Sequence, residues 1–368
     1  MNEDKLYQIA LLRTPGVGST NIKSLISYCG SAKNVFQSPK GKLAKIPGIG
    51  TFIANSINPK VDLTFAEQEI LTAKKNGADL LFYTDEDYPQ RLKQILDAPP
   101  LLYVSGNGSL NRPKMVAIVG TRKATEYGKG MVTELVQGLM QHNVTIVSGL
   151  AYGIDVHAHK ESLNNGLPTI GIMASGLDII YPAVHKSIAL QMKENGALVT
   201  ENAFGTKPDA PRFPARNRII AGMADVIIVV EAAAKGGALI TAEIANSYNK
   251  DVFAIPGNIG KTNSEGCNKL IKSHKAHLLE KVSDIEYIMN WDTTQSKKST
   301  IPKIDITDLT PSEQKILLLF DDNKKELLVD DISWKSQIPI SVLASTLLQL
   351  EFRGIIKSLP GKKYRLNI

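Results

Sequence analysis

The chain has 368 residues, of which 43% are hydrophobic and 21% charged; this is ordinary globular composition and too much length for one typical domain, so two or three are expected. Its two cysteines indicate no disulfide framework, no apolar run approaches the ~20 residues of a membrane span, and the N-terminus lacks a signal-peptide pattern, so we expect a cytoplasmic protein without membrane contact. The net charge of +7 favours a polyanionic partner, but only weakly.

Residues 1–75 form short helical patterns around two related turns. Thr14-Pro15-Gly16-Val17-Gly18 and Ile46-Pro47-Gly48-Ile49-Gly50 each precede a new amphipathic stretch. This is the helix-hairpin-helix (SAM-like) pattern, in which glycines permit the turn and helix-start amides can hold a DNA phosphate. Paired hairpins of this kind also serve purely as packing modules, and the sequence does not separate the two roles.

The pattern from 76 to 291 alternates strands with helices. Apolar runs rich in valine and isoleucine are separated by helix-length amphipathic segments, which indicates mostly parallel strands buried on both faces. The predicted strands are 78–83, 101–104, 116–120, 144–149, 168–176, 197–201, 225–232 and 251–257. We therefore predict an extended Rossmann-like, doubly wound α/β sheet.

The polar stretch 292–306 reads as a linker, and the pattern restarts over 307–368. Thr310, Pro311 and Glu313 predict a helix start with a capping box. Helices over 311–320, 329–335 and 340–353, followed by a hairpin around Pro360-Gly361, predict a winged helix. The predicted recognition helix of this domain, SVLASTLLQLEF, lacks a basic or amide-rich face. We therefore favour protein contact or autoregulation over sequence-specific DNA recognition.

The predicted strands end in glycine with a small or polar residue. Parallel strands meet with their carboxyl ends at one edge, where phosphate-bearing ligands bind. Small residues there allow close approach, and Arg122 follows the strand that ends at Gly120. The residues placed at this edge are Gly120, Thr121, Arg122, Lys123, Ser148, Gly149, Gly153, Asp155, Gly176, Lys235, Gly236 and Gly237.

The segment from Phe213 to Arg218 adds an aromatic residue, two arginines and Asn217 at a helix start. Arginines, backbone amides and an exposed aromatic ring in one groove suit a nucleic-acid single strand, because phosphates are clamped and a base is stacked. Alternatively, Phe213 packs in the core, and Arg216 or Arg218 pairs with Asp209 or Glu231.

The candidate enzyme motifs of the sequence are incomplete. Gly257-Asn-Ile-Gly260-Lys261-Thr262 resembles the end of a P-loop, but Ile255 stands where that motif needs glycine. The dinucleotide spacing is absent after Gly120, and His157 with His159 does not have metal-ligand spacing on a helix. We expect His159 to reach back to Asp155, and we predict no metal or cofactor. Glu201 is a candidate base without a partnered nucleophile.

Together the motifs resemble those of the DNA-processing protein A (DprA, also called Smf) family. The matching segments include VAIVGTR, VSGLAYGIDVHAH, FPARNRIIAGMADVIIVVEA and VFAIPGNIG. The resemblance implies a non-enzymatic protein that binds single-stranded DNA in natural transformation, protects incoming DNA and loads the RecA recombinase for homologous recombination. It also implies a homodimer formed through the Rossmann-like domain.

Carried over by motif, the glycine–small–arginine phosphate site falls on Gly120, Thr121 and Arg122. The F-x-x-R-N-R segment falls on Phe213 to Arg218, and a basic glycine loop on Lys235, Gly236 and Gly237, where Gly236 replaces a common serine. An alternative is a nucleotide phosphoribohydrolase-like enzyme on a related fold, because Gly236, Gly237 and Glu243 match the glycines and the glutamate of its motif in register. That reading is disfavoured because Leu239 and Ile240 occupy the glycine and threonine positions of its motif.

Overall fold

The computed structural model describes residues 3–57, 59–291, 309–320, 326–359 and 362–366. The chain divides into two compact units, Met1–Trp291 and Asp292–Ile368. The linker predicted over 292–306 and the turn at 360–361 lie outside the described residues. No helix within the described ranges is both long and apolar enough to cross a bilayer.

The first unit begins with six helices: α1 (Glu3–Leu11), α2 (Ser19–Cys29), α3 (Ala32–Gln37), α4 (Lys40–Leu43), α5 (Thr51–Ser56) and α6 (Pro59–Lys75). The predicted hairpin turns precede α2 and α5. Gly16 and Gly48 adopt φ of +80° and +81°, a conformation that side chains resist. The Asn21 side chain donates to the Gly16 carbonyl at 3.0 Å and also lies beside Gly48, so the two hairpins pack against each other.

The sheet of the first unit has nine strands in the order β1-β2-β6-β5-β4-β3-β7-β8-β9. They are β1 (Asp79–Phe82), β2 (Leu101–Ser105), β3 (Met115–Gly120), β4 (Thr145–Ser148), β5 (Thr169–Ile172), β6 (Ala197–Thr200), β7 (Val226–Val230), β8 (Asp251–Ala254) and β9 (His277–Leu278). The strands from β6 across to β9 pair in parallel, while β1 with β2 and β2 with β6 are antiparallel. The predicted mostly parallel sheet is confirmed, and β9 is an addition to the prediction.

Helices cover the two faces of this sheet: α7 (Gln90–Lys93), α8 (Glu126–Leu139), α9 (Ile154–Asn164), α10 (Lys186–Asn195), α11 (Arg212–Met223), α12 (Gly237–Ser247), α13 (Thr262–Lys272) and α14 (Val282–Met289). In β3, Met115, Ala117 and Val119 join one core, while Val116 and Ile118 join the core on the opposite face. Burial on both faces explains the unbroken apolar run, which is the signature of a doubly wound sheet.

The direction of winding reverses beside β3. The chain proceeds from β3 through β4 and β5 to β6 on one side, and then returns to place β7, β8 and β9 on the other. The loops after β3 and β7 therefore leave the sheet in opposite directions. Open α/β sheets bind ligands in the crevice that this reversal creates at the strands' carboxyl ends.

The second unit is a winged helix, as predicted. It contains α15 (Pro311–Leu317), β10 (Leu327–Leu328), α16 (Val329–Ser336), α17 (Ile340–Phe352), β11 (Ile356–Leu359) and β12 (Lys363–Leu366), with β12 between β10 and β11. The predicted capping box is present at the start of α15. The exposed surface of α17 carries Leu348 and Phe352, which agrees with its lack of a basic face.

The capping box yields a stability prediction. The Thr310 hydroxyl donates to Glu313 Oε2 at 2.8 Å and accepts from the Glu313 amide, and Glu313 is fully buried. We expect Thr310→Ala to destabilise α15 by about 1 kcal/mol, so that its amides exchange with deuterium about five-fold faster. Thr310→Ser keeps the hydroxyl and should exchange like the parent; equal protection in the alanine variant would contradict the assignment.

Candidate nucleic-acid interface

A cleft of about 720 Å³ opens between the loops that follow β3 and β7. Ten of the sixteen residues predicted at the binding edge line it. They are Gly120, Thr121, Arg122, Asp155, Phe213, Arg216, Asn217, Lys235, Gly236 and Gly237. The structure thus brings four separate sequence segments to the crevice at the reversal of the sheet.

An arginine and two aromatic rings form one wall of the cleft. The Arg122 guanidinium lies over the Phe213 ring, 5.1 Å from its centroid, in cation–π geometry. The Tyr181 ring lies 5.9 Å from that of Phe213 and is 47% exposed. Phe213 is only partly buried, so it belongs to the cleft wall and not to the hydrophobic core. The contact holds the Arg122 cation at the mouth of the cleft.

Two buried charged side chains, Arg216 and Asp155, lie under the cleft. The Arg216 guanidinium donates to the carbonyl oxygens of Gly149 and Ile172, and Asp155 is its charged neighbour. Burial lowers the pKa of Arg216 to about 10, so the side chain stays cationic at neutral pH. Burial also raises the pKa of Asp155, while Arg216 and the amides of Gly120, Gly149 and Ala151 counteract that shift.

Asn217 continues the network across the floor of the cleft. Its Oδ1 accepts a hydrogen bond from Arg216 Nε at 3.2 Å, and its Nδ2 donates to the Gly237 carbonyl at 3.2 Å. Gly237 is the first residue of α12. Arg216 and Asn217 therefore join the ends of β4 and β5 to the helix that follows β7.

Two glycines are required by the closeness of the strand ends. A Cβ at Gly120 would lie 2.0 Å from the Val230 carbonyl oxygen. Gly153 has φ of +77°, and a Cβ there would lie 2.2 Å from the Thr121 carbonyl oxygen. Gly120 thus allows the end of β7 to approach β3, and Gly153 allows the loop after β4 to contact the backbone of the loop after β3.

Five predicted edge residues line neither the main cleft nor a smaller cavity that lies beside it. Arg218 pairs with Glu201 and donates to the Asp97 carbonyl, so its expected place in the groove is corrected. The buried Ser148 hydroxyl donates to the Ile118 carbonyl at 2.6 Å and is thereby committed within the sheet. The complete set is Lys123, Ser148, Gly153, Gly176 and Arg218.

The remaining predicted residue, Gly149, lines a smaller cavity of about 80 Å³ beside the main cleft. Arg122, Phe213 and Arg216 contribute to its wall as well. A Cβ at Gly149 would lie 2.5 Å from the Arg216 guanidinium. Gly149 therefore leaves space for the buried Arg216 side chain. Lys123, by contrast, is exposed beside the cleft.

The proposed bond between His159 and Asp155 is wrong. His159 Nδ1 lies 2.7 Å from Thr169 Oγ1, and burial lowers the pKa of His159 to about 3, which keeps the ring neutral. His157 instead faces Thr133 and the Lys129 carbonyl. The two histidines thus have separate structural partners. In the described ranges, no cluster of three or more histidine, cysteine, aspartate or glutamate side chains has metal-ligand geometry.

The residues considered for catalysis have other neighbours. Glu243 pairs with Lys275, with Nζ–O distances of 2.8 and 3.0 Å, and does not line the cleft. Ile240 does line it and is 43% exposed, so a bulky apolar side chain stands where the hydrolase motif has threonine. Glu201 is held by Arg218. This arrangement gives no support to the phosphoribohydrolase alternative.

Some residues that line the cleft were not predicted from the sequence. Tyr181 lines both cavities, and the segment 208–210 forms part of the rim of the main cleft. The available signal for Tyr181 was its position in the loop after β5, at the same sheet edge as the glycines. Thr241, one turn into α12, also lines the cleft and carried no sequence signal.

Comparison with known proteins gives consistent matches over both units. The family model described as DNA recombination-mediator protein A matches residues 79–290, and the DprA winged helix domain matches 304–362. The Smf protein of Synechocystis is 30% identical, covering 99% of each chain, and DNA processing protein DprA of Streptococcus pneumoniae is 43% identical over 51% of this chain and 66% of its own length.

Solved structures agree with these matches. The X-ray structure of DprA from Streptococcus pneumoniae aligns with a TM-score of 0.65 at 35% identity, covering 77% of this chain and 97% of its own. The single-stranded DNA-binding DNA processing protein A of Helicobacter pylori aligns with a TM-score of 0.53 at 29% identity, covering 58% and 95%. The sheet order, the winged helix and these matches establish that the chain belongs to the DNA recombination-mediator protein A (DprA/Smf) family.

Proposed function

We propose that this protein binds single-stranded DNA in the cleft between the loops after β3 and β7. The observation that carries the proposal is the Arg122 guanidinium held over the Phe213 ring at the cleft mouth. An exposed cation beside a partly exposed ring supplies the two interactions that a single strand needs, which are phosphate neutralisation and base stacking. The Helicobacter pylori relative, which binds single-stranded DNA, supports the same ligand.

The exposed and the buried residues of the cleft have different roles. Arg122 and Lys235 are exposed and provide the positive charge that meets phosphates. Phe213 and Tyr181 provide rings of a kind on which any base can stack, which favours binding with little sequence preference. Arg216 and Asn217 are buried and act on the strand only indirectly, by holding the loops that carry the exposed groups.

The wider role is proposed from family membership. The bound strand would be incoming DNA in natural transformation, protected in the cytoplasm and passed to RecA for recombination, without catalysis by this chain. We also propose a homodimer through the Rossmann-like domain. A surface suited to it is the outer edge of the sheet, where β9 is the last strand and Leu278 is 45% exposed.

Substitution of Arg122 tests the phosphate contact. We expect Arg122→Ala to weaken binding of unrelated oligonucleotides equally and to reduce the log–log salt slope by about 0.7, the value for one phosphate on a single strand. Arg122→Lys should keep most of the slope. Fluorescence anisotropy over a salt series measures both quantities. Lys160→Ala, at an exposed position on α9, is the charge-matched control; equal losses in both variants would exclude a specific contact.

Substitution of Phe213 tests the stacking wall and its coupling to Arg122. Phe213→Ala should cost about 1–3 kcal/mol of binding free energy if a base stacks on the ring. Because the ring also positions the Arg122 guanidinium, the double substitution should cost less than the sum of the single ones. Thermal unfolding of Phe213→Ala should stay close to that of the parent. A large loss of stability, or strict additivity, would argue against this arrangement.

A further inference from the structure

We propose a second nucleotide subsite beyond the cleft, formed by the loop 257–262 and the start of α8, which binds the next part of the same DNA strand. This inference rests on the proposed function and extends it. The sequence had singled out this loop for its likeness to a P-loop, and the binding cleft described above does not include it. In the structure the loop joins β8 to α13 and borders a separate cavity of about 660 Å³.

Side-chain hydrogen bonds hold the loop that borders this cavity in place. The Asn268 side chain donates to the Gly257 carbonyl at 2.8 Å and accepts from its amide at 3.1 Å, which fixes the start of the loop. The Tyr127 hydroxyl donates to the Pro256 carbonyl at 2.8 Å, which ties the loop to α8. A Cβ at Gly257 would lie 2.2 Å from Ser264 Oγ, so this approach of loop and helix requires glycine.

The lining has the chemistry of a nucleotide site. Tyr127 presents a ring that is 51% exposed, and Lys261 contributes an exposed ammonium group. Within the described part of the chain, the Lys261 side chain has no hydrogen bond or ion pair of its own. An aromatic ring and an uncommitted cation on one cavity are the pair of groups that the first cleft offers in Phe213 and Arg122.

No acidic side chain near the cavity is an ion-pair partner of Lys261 in the described part of the chain. Glu231 lines the cavity, but its carboxylate accepts hydrogen bonds from the Thr125 amide at 2.9 Å and from the Thr125 hydroxyl at 2.5 Å. Glu126 is paired with Lys129 on α8. Glu265 lies on the other side of the loop, in a separate depression. Lys261 is therefore the exposed charged group of this cavity, and in the described ranges it has no committed partner, whereas Glu231 is only 7% exposed.

A short ridge connects the two cavities. The Asn263 side chain donates to the Lys123 carbonyl at 3.2 Å, and the Ala232 amide donates to the Asn263 carbonyl at 2.7 Å. The loops after β3 and β7 thus meet at the start of α13, and Lys123 is exposed beside this contact. Arg122, Lys123 and Lys261 form a basic track along the carboxyl edge of the sheet, which is the feature that follows a phosphate backbone. This position also gives Lys123, which lies outside the first cleft, a role.

The test measures affinity of the full-length protein for oligothymidylates of increasing length, from about 4 to about 16 nucleotides. For the wild type, affinity should rise with length in two stages as the strand reaches the second cavity. Lys261→Ala should leave the shortest bound oligonucleotides unaffected and abolish the second stage, with a salt slope lower by about 0.7 for long ones. Tyr127→Ala should weaken long oligonucleotides at least about five-fold, while Tyr127→Phe keeps the ring and the affinity.

The possible outcomes distinguish the proposed second subsite from the main cleft. Wild-type affinity of Lys261→Ala and Tyr127→Ala at every length would overturn the subsite, even if Arg122→Ala still weakens binding. Loss by the same factor at every length would also overturn it, because the residues would then not act on an extension of the strand. Binding of thymidine monophosphate that depends on Lys261, with unchanged oligonucleotide affinity, would replace it by a free-nucleotide site. Failure of the wild type to bind any oligonucleotide would instead refute the proposed function itself.

Discussion

The carboxyl edge of the sheet depends on the buried side chains of Arg216 and Asp155. Arg216 holds the Gly149 and Ile172 carbonyls, and Asp155 accepts backbone amides from the loops after β3 and β4. Arg216 also opposes the effect of burial on the Asp155 carboxyl group, so replacing Arg216 leaves that buried group less compensated. The two side chains therefore fix the carboxyl ends of three strands before any ligand arrives. Because the loops are already in place, little of the binding energy is spent on ordering them.

The arginines around α11 perform different tasks because of where the helix places them. Residues two positions apart on an α-helix point about 200° away from each other, so Arg216 and Arg218 cannot face the same groove. Arg216 enters the floor of the cleft, whereas Arg218 turns to Glu201 on the far side. The conspicuous basic segment is thus mainly structural. The exposed cation that we propose to contact DNA is instead Arg122, on a different loop.

These assignments show where reasoning from sequence succeeds. Strands buried on both faces leave continuous apolar runs, so their order along the chain and the location of the binding edge were predictable. The two-residue strand β9 carries no such run and was missed. Side-chain partners depend on the rotation of each helix about its axis, which tertiary packing decides. For this reason His159 was assigned to Asp155, although it faces Thr169 on the neighbouring strand.

The hairpin helices contribute to the cleft through a shared core, whether or not they contact DNA. Phe82 and Tyr103 of the sheet pack among the residues of α1 to α6. Tyr103 donates to the buried Glu69 of α6 at 2.7 Å, and its ring meets Phe204 edge-on at 5.6 Å. Phe204 precedes the rim segment 208–210 by only four residues. Deleting residues 1–75 would therefore expose apolar surface and loosen the rim at once, so reduced DNA binding by such a truncation would not demonstrate a hairpin–DNA contact. Substitutions confined to the exposed hairpin turns are the informative alternative, because they leave this shared core intact.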